Sequence, residues 1–165
     1  MIIPLPLLAF AQEVLAGCRS HLVKLATAES CTGGLVAATL TAIAGSSEVV
    51  DRGFVTYSNA AKVEMLGIPP DLIDAHGAVS EAVARAMARS ALARSRSDLA
   101  IAITGIAGPS GGTPEKPVGL VWFGLASRAG LVKADKVIFP GDRQAVRIAT
   151  VRRSFELIQD ALELN

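Results

Sequence analysis

The chain has 165 residues, enough for one domain with a substantial core. Hydrophobic residues make up 51% and charged residues 19%, which excludes a disordered chain. A net charge of +1 supplies no electrostatic attraction for nucleic acid or a membrane surface, and two cysteines make neither a disulfide framework nor a zinc cluster.

The apolar run over residues 1–10 has no basic start and no clear cleavage site, and it is too short to span a bilayer. It reads as the start of a packed helix in a cytoplasmic protein. Residues 7–19 form an amphipathic helix with Leu7, Leu8, Val14, Leu15 and Cys18 near one stripe, so Cys18 is expected in the core. A strand follows over residues 22–28. The turn Glu29-Ser30-Cys31-Thr32-Gly33-Gly34 leads into a helix over residues 35–44, which Gly45-Ser46-Ser47 closes. Residues 49–57 carry β-branched and aromatic side chains and make a second strand. Ser58 or Asn59 caps a short helix carrying Lys62, broken by Gly67, Pro69 and Pro70. Pro70 opens another short helix that ends near His76-Gly77. Ser80 caps the clearest helix, residues 81–96, with Val83, Ala84, Met87, Ala91 and Leu92 on one face. A third strand covers residues 99–104. The Gly/Pro-rich loop over residues 105–117 is long for a compact domain, which marks it as functional or mobile. Residues 118–126 and 131–139 form a hairpin, and Asp142 caps a last helix reaching about Leu164.

This order predicts an α/β fold, a three-layer αβα sandwich with a mixed β-sheet, in a single domain over residues 1–165. A helix joins the first two strands, so they are parallel through a right-handed crossover. With the third strand in the same direction, three loops converge at the carboxyl edge, where ligands bind in such sheets. These are residues 29–34, 57–62 and 104–112, with the start of the last helix within reach.

Amide or ester hydrolysis needs a nucleophile, a proton acceptor and an oxyanion stabiliser. Ser30 is one nucleophile and Cys31 the other, while either residue also suits a plain helix cap or a buried position. No histidine lies in the converging loops. Lys62 serves as base if burial removes its charge, and otherwise it is a solvated helix residue. Tyr57, the sole tyrosine, relays a proton, orients Lys62, or simply packs. The N–H groups of Thr32, Gly33 and Gly34 are oxyanion donors. Glu29 orients the turn. Arg143 and Arg147, four apart, grip a phosphate or form a solvated face. The run from Gly105 to Gly108 brings backbone close to a ligand, although it lacks a P-loop ending. His21 and His76 have no metal-ligand spacing, so no metal is expected.

Six ordered motifs together resemble the CinA C-terminal domain family. They are Thr27-Ala28-Glu29-Ser30-Cys31-Thr32-Gly33-Gly34, Gly53-Phe54-Val55-Thr56-Tyr57-Ser58-Asn59, His76-Gly77-Ala78-Val79-Ser80, Thr104-Gly105-Ile106-Ala107-Gly108-Pro109, Lys116-Pro117-Val118-Gly119 and Gly141-Asp142-Arg143. The resemblance implies hydrolysis of nicotinamide mononucleotide to nicotinate mononucleotide and ammonia, with no metal and no organic cofactor. It implies Ser30 as nucleophile and roles for Tyr57, Lys62, Thr104 and Arg143. Arg143, Arg147 and Ser46 or Ser47 are then expected to hold the 5′-phosphate. A different amide substrate and a non-catalytic nucleotide-binding module are the alternatives. Longer relatives carry an N-terminal domain resembling molybdopterin-binding proteins. This chain does not contain it, so a pyrophosphatase activity tied to it is not expected. The family's link to competence and DNA damage reads as indirect, and nucleic acid is not an expected partner. The hairpin and the apolar first helix lead to an expected homo-oligomer.

Overall fold

In the computed structural model, which describes residues 2–164, eleven main elements follow in chain order. They are α1 (Leu5–Ser20), β1 (Leu25–Glu29), α2 (Leu35–Thr41), β2 (Val50–Val55), α3 (Asn59–Leu66) and α4 (Pro70–His76), then α5 (Glu81–Ala93), β3 (Leu99–Gly105), β4 (Leu120–Ser127), β5 (Val132–Ile138) and α6 (Arg143–Glu163). Met1, which opens the apolar N-terminal run, and Asn165 lie outside the described residues. Among the described residues, no helix is long and apolar enough to cross a membrane.

The five strands make one mixed sheet in the order β2-β1-β3-β4-β5. β1 is parallel to β2 and β3, while β3–β4 and β4–β5 are antiparallel. Helices cover both faces, so the three-layer prediction holds. On one face, Leu15, Val151, Phe155 and Ile158 pack with Leu25, Ile101, Ile103 and Phe123. On the other, Val83, Met87, Ala88 and Ala91 of α5 meet Ala26, Ala28, Ala100, Ala102 and Ala126. Small residues on this second face let the α5 backbone come close. A Cβ added at Gly124 would run into the Ala84 carbonyl.

β1 starts three residues later than the predicted strand. The chain leaves α1 through Leu22 at φ 55°, a left-handed position that glycine usually fills. There Val23 N–H donates to the Cys18 carbonyl and Leu22 N–H to that of Arg19, so residues 22–24 cannot extend. The alignment of β1 with β2 contains an irregularity. Leu25 pairs with Val50 but Ala26 pairs with Arg52, leaving Asp51 as an extra residue. Its carboxylate accepts from the Arg96 N–H at 3.0 Å and from Arg52 Nε at 2.7 Å. These two bonds hold the Asp51 carboxyl below the usual carboxylate range.

Candidate active site

β1 ends at Glu29, and the chain turns at Ser30. Gly33 N–H donates to the Ser30 carbonyl at 3.0 Å, closing a four-residue turn. Gly33 and Gly34 have φ of 59° and 92°, which an L side chain resists. The Ser30 N–H donates to the Ile103 carbonyl at 3.0 Å and ties the turn to β3. Glu29 is fully buried. Its carboxylate accepts from Gly34 N–H (3.1 Å), Val36 N–H (3.0 Å) and Ala37 N–H (2.9 Å). Its geometric role is therefore to cap α2 and orient the turn. The N–H groups of Gly33 and Gly34 are both engaged inside the protein, so the donor set expected from sequence is reduced to Thr32.

Lys62 reaches this turn from α3, which Ser58 caps by accepting from the Ala61 N–H at 3.0 Å. Lys62 is only 1% exposed, although an amine at the end of four methylenes normally reaches water. Its Nζ donates to Ser30 Oγ at 3.1 Å and to the Thr56 carbonyl at 3.0 Å. No carboxylate pairs with it among the described residues. Burial therefore pushes its pKa down from the ordinary lysine value. A neutral amine keeps one lone pair, and Ser30 Oγ lies within its reach. Thr56 had no sequence signal beyond its place before Tyr57, yet its carbonyl fixes the amine.

The other candidates sort by their contacts. Burial pushes the Cys31 thiol up to about 12, so it stays protonated at neutral pH and is a poor nucleophile beside Ser30. Tyr57 makes no hydrogen bond to Lys62 or Ser30. Its phenol oxygen accepts from Arg143 Nη2 at 2.6 Å, and its ring is 59% exposed. Arg143 also donates to the Gly108 carbonyl at 2.9 Å, joining α6 to the glycine-rich loop. Thr104 is buried, and its hydroxyl donates to the Ala78 carbonyl at 2.8 Å. Lys116 anchors the same loop by donating to the His76 carbonyl at 2.7 Å, a contact unmarked in the sequence. Gly105 packs where a Cβ would meet the Leu120 carbonyl oxygen at 2.8 Å and Cys31 Sγ at 3.1 Å. Arg147 donates to the Thr32 carbonyl at 2.7 Å.

Ser46 and Ser47 require a correction. α2 carries the chain from the carboxyl edge of β1 to the amino edge of β2, so both serines sit at the opposite edge from Ser30. Their neighbourhood there is the ion pair of Arg19 with Glu48. They cannot hold a phosphate bound beside Arg143.

A cavity of about 250 Å³ is lined by Ser30, Cys31, Tyr57, Gly105, Gly108 and Arg143. A second of about 670 Å³ lies at the start of α6, beside Asp142, Gln144 and Arg147. The two share Ala107 and Arg143, so they read as one groove of small-molecule size. Among the described residues, no three His, Cys, Asp or Glu side chains cluster to hold a metal.

Residues 8–162 match the family model of the CinA C-terminal domain. The chain belongs to the CinA C-terminal domain family. Within the family it is 49% identical over 141 residues to the nicotinamide-nucleotide amidohydrolase PncC of Escherichia coli, covering 86% of each chain. Identity reaches 56% over 121 residues with a nicotinamide-nucleotide amidohydrolase PncC of Enterobacter agglomerans, covering 73% of this chain and 74% of that one. A CinA-like protein of Akkermansia muciniphila is 50% identical over 139 residues, covering 84% of this chain and 34% of that one. The chain thus spans about a third of the length of that CinA-like relative and of the similar competence-damage inducible protein of Symbiobacterium thermophilum. The fold is also that of a CinA-family crystal structure. The competence/damage inducible protein CihA of Agrobacterium tumefaciens superposes with a TM-score of 0.94 at 46% identity, covering 99% of both chains.

Proposed function

We propose that this CinA-family chain hydrolyses the carboxamide of nicotinamide mononucleotide, yielding nicotinate mononucleotide and ammonia. The observation that carries this reading is the 3.1 Å contact between Ser30 Oγ and the buried Lys62 Nζ. A serine facing a desolvated lysine with no carboxylate partner is a nucleophile–base pair. The names of the two PncC relatives supply the substrate.

Lys62, neutral in its buried slot, takes the Ser30 proton as Oγ attacks the carboxamide carbon. The carbonyl electrons move to oxygen, where backbone N–H groups of the turn stabilise the charge. On collapse, the C–N bond breaks and Lys62 returns the proton to the leaving nitrogen, releasing ammonia. Water then attacks the acyl-enzyme, its proton passes to Lys62, and the carboxylate product leaves as Ser30 regains a proton. Tyr57 and Arg143 stand at the mouth of the groove and act on substrate binding. Arg143 holds the 5′-phosphate, so that remote binding energy positions the amide.

The test compares ammonia release from nicotinamide mononucleotide, free nicotinamide and asparagine, in wild type and Ser30→Ala. The expected result is turnover of the mononucleotide alone and its loss in Ser30→Ala, with nucleotide binding retained in a thermal shift. Wild-type turnover in Ser30→Ala would remove Ser30 as nucleophile. Nucleotide binding without turnover in the wild type would make the chain a binding module instead.

A further inference from the structure

The Ser30 turn is held from a second direction, by the last helix. We infer that Arg147 is a positioning residue for the Ser30 reaction: it clamps the turn whose Cys31 and Thr32 N–H groups receive the oxyanion. The inference rests on the amidohydrolase reading and deepens it.

The hydrogen bonds of the turn narrow the donors to two. Ser30 N–H goes to Ile103, Gly33 N–H to the Ser30 carbonyl, and Leu35 N–H to the Thr32 carbonyl. Glu29 takes the N–H groups of Gly34, Val36 and Ala37. From Ser30 to Ala37, only the Cys31 and Thr32 N–H groups are left without a partner in another residue. They directly follow the nucleophile, where two donors can meet the oxygen of an attacked carbonyl.

The Thr32–Gly33 peptide is fixed from α6. Its carbonyl accepts from Leu35 N–H at 3.2 Å and from Arg147 Nη2 at 2.7 Å, across 115 residues of sequence. The same Nη2 lies 3.6 Å from where a Gly33 side chain would start, so the guanidinium sits against the turn. It fixes the plane of the Thr32–Gly33 peptide, the unit that follows the Thr32 N–H, and so restrains the turn that presents both donors. The joint is not built for stability alone. Thr32 Oγ1 and Arg147 Nε are both buried without a hydrogen-bond partner, and such orphans oppose folding. Arg143, exposed at the groove and bonded there to Gly108 and Tyr57, is the arginine placed to meet an anion.

The test measures kcat and KM for nicotinamide mononucleotide and the rate at which a fluorophosphonate labels Ser30, followed by intact mass. In that labelling Oγ attacks phosphorus, fluoride leaves, and the phosphoryl oxygen occupies the oxyanion position. Losing one direct donor lowers rates about 10²- to 10³-fold, so losing its clamp is expected to lower kcat and labelling about 10- to 100-fold in Arg147→Met. KM should change less than about twofold, and Arg147→Lys, which keeps a charged donor, should recover part of the loss. Should Arg147→Met not fold, Arg147→Gln is the second variant and shows the same split more weakly. Labelling at the wild-type rate in either variant, or a raised KM with unchanged kcat, overturns the inference. Wild-type protein that neither labels nor releases ammonia overturns the amidohydrolase reading and the inference with it.

Discussion

Replacing Lys62 by methionine separates the chemistry of the site from its stability. Methionine is unbranched and apolar, so it can occupy the same buried slot. The change removes the one amine within 3.1 Å of Ser30 Oγ. A positioned acid–base group contributes about 10²- to 10⁴-fold in rate, or about 3–5 kcal/mol of barrier. The effect on folding is much smaller. The Thr56 carbonyl loses its 3.0 Å donor, a loss of about 1 kcal/mol. Removing a desolvated amine offsets this by about the same amount. Melting should therefore move by no more than about 2–4 °C, while ammonia release falls at least about a hundredfold. The assay couples ammonia release to glutamate dehydrogenase beside a thermal melt. The pH dependence adds a second signature. Burial lowers the Lys62 pKa from 10.5, so between its folded value and 10.5 the unfolded chain holds the extra proton. Stability thus rises with pH across that window, and the rise disappears in Lys62→Met. The rate of the wild type likewise climbs with pH until Lys62 is neutral, and the variant loses that limb. Wild-type turnover in a folded Lys62→Met protein refutes the assignment of the base.

Two further outcomes follow from contacts elsewhere. Tyr57→Phe removes the acceptor for Arg143 but leaves Ser30 and Lys62 untouched, so it should raise KM and lower kcat less than about tenfold. A loss as large as that of Lys62→Met would make the phenol the base. Gly124→Ala drives a Cβ into the Ala84 carbonyl and pushes α5 off the sheet, at about 1–3 kcal/mol by overpacking. An unchanged melting temperature would contradict that close approach.

The sequence carried the layers and the meeting of three loops because periodicity and turn residues write them locally. β-branched residues marked β2, Ser80 and Asp142 marked helix starts, and a helical crossover made β1 and β2 parallel. That reasoning brought Ser30 and Lys62 to one edge. It could not tell where side chains point. Tyr57 faces Arg143 and not Lys62 because partners 86 residues apart are chosen by packing, which no local pattern records. Glu29 was read as orienting the turn, but only its buried position shows which three N–H groups it takes. Ser46 and Ser47 were within reach of a correct reading, since a crossover helix must end at the opposite edge from where it began.

Ser30 follows β1 and Lys62 follows β2, so the distance between them depends on how two parallel strands are aligned. That alignment is decided at the other end of the sheet, where Asp51 is inserted and held by Arg96 and Arg52. One strand residue spans about 3.3 Å. Without the insertion, β2 would slide by that length along β1 and carry the amine beyond hydrogen-bond reach of the hydroxyl. The spacing between the Ser30 hydroxyl and the Lys62 amine is thus tied to a half-buried carboxylate on the opposite rim.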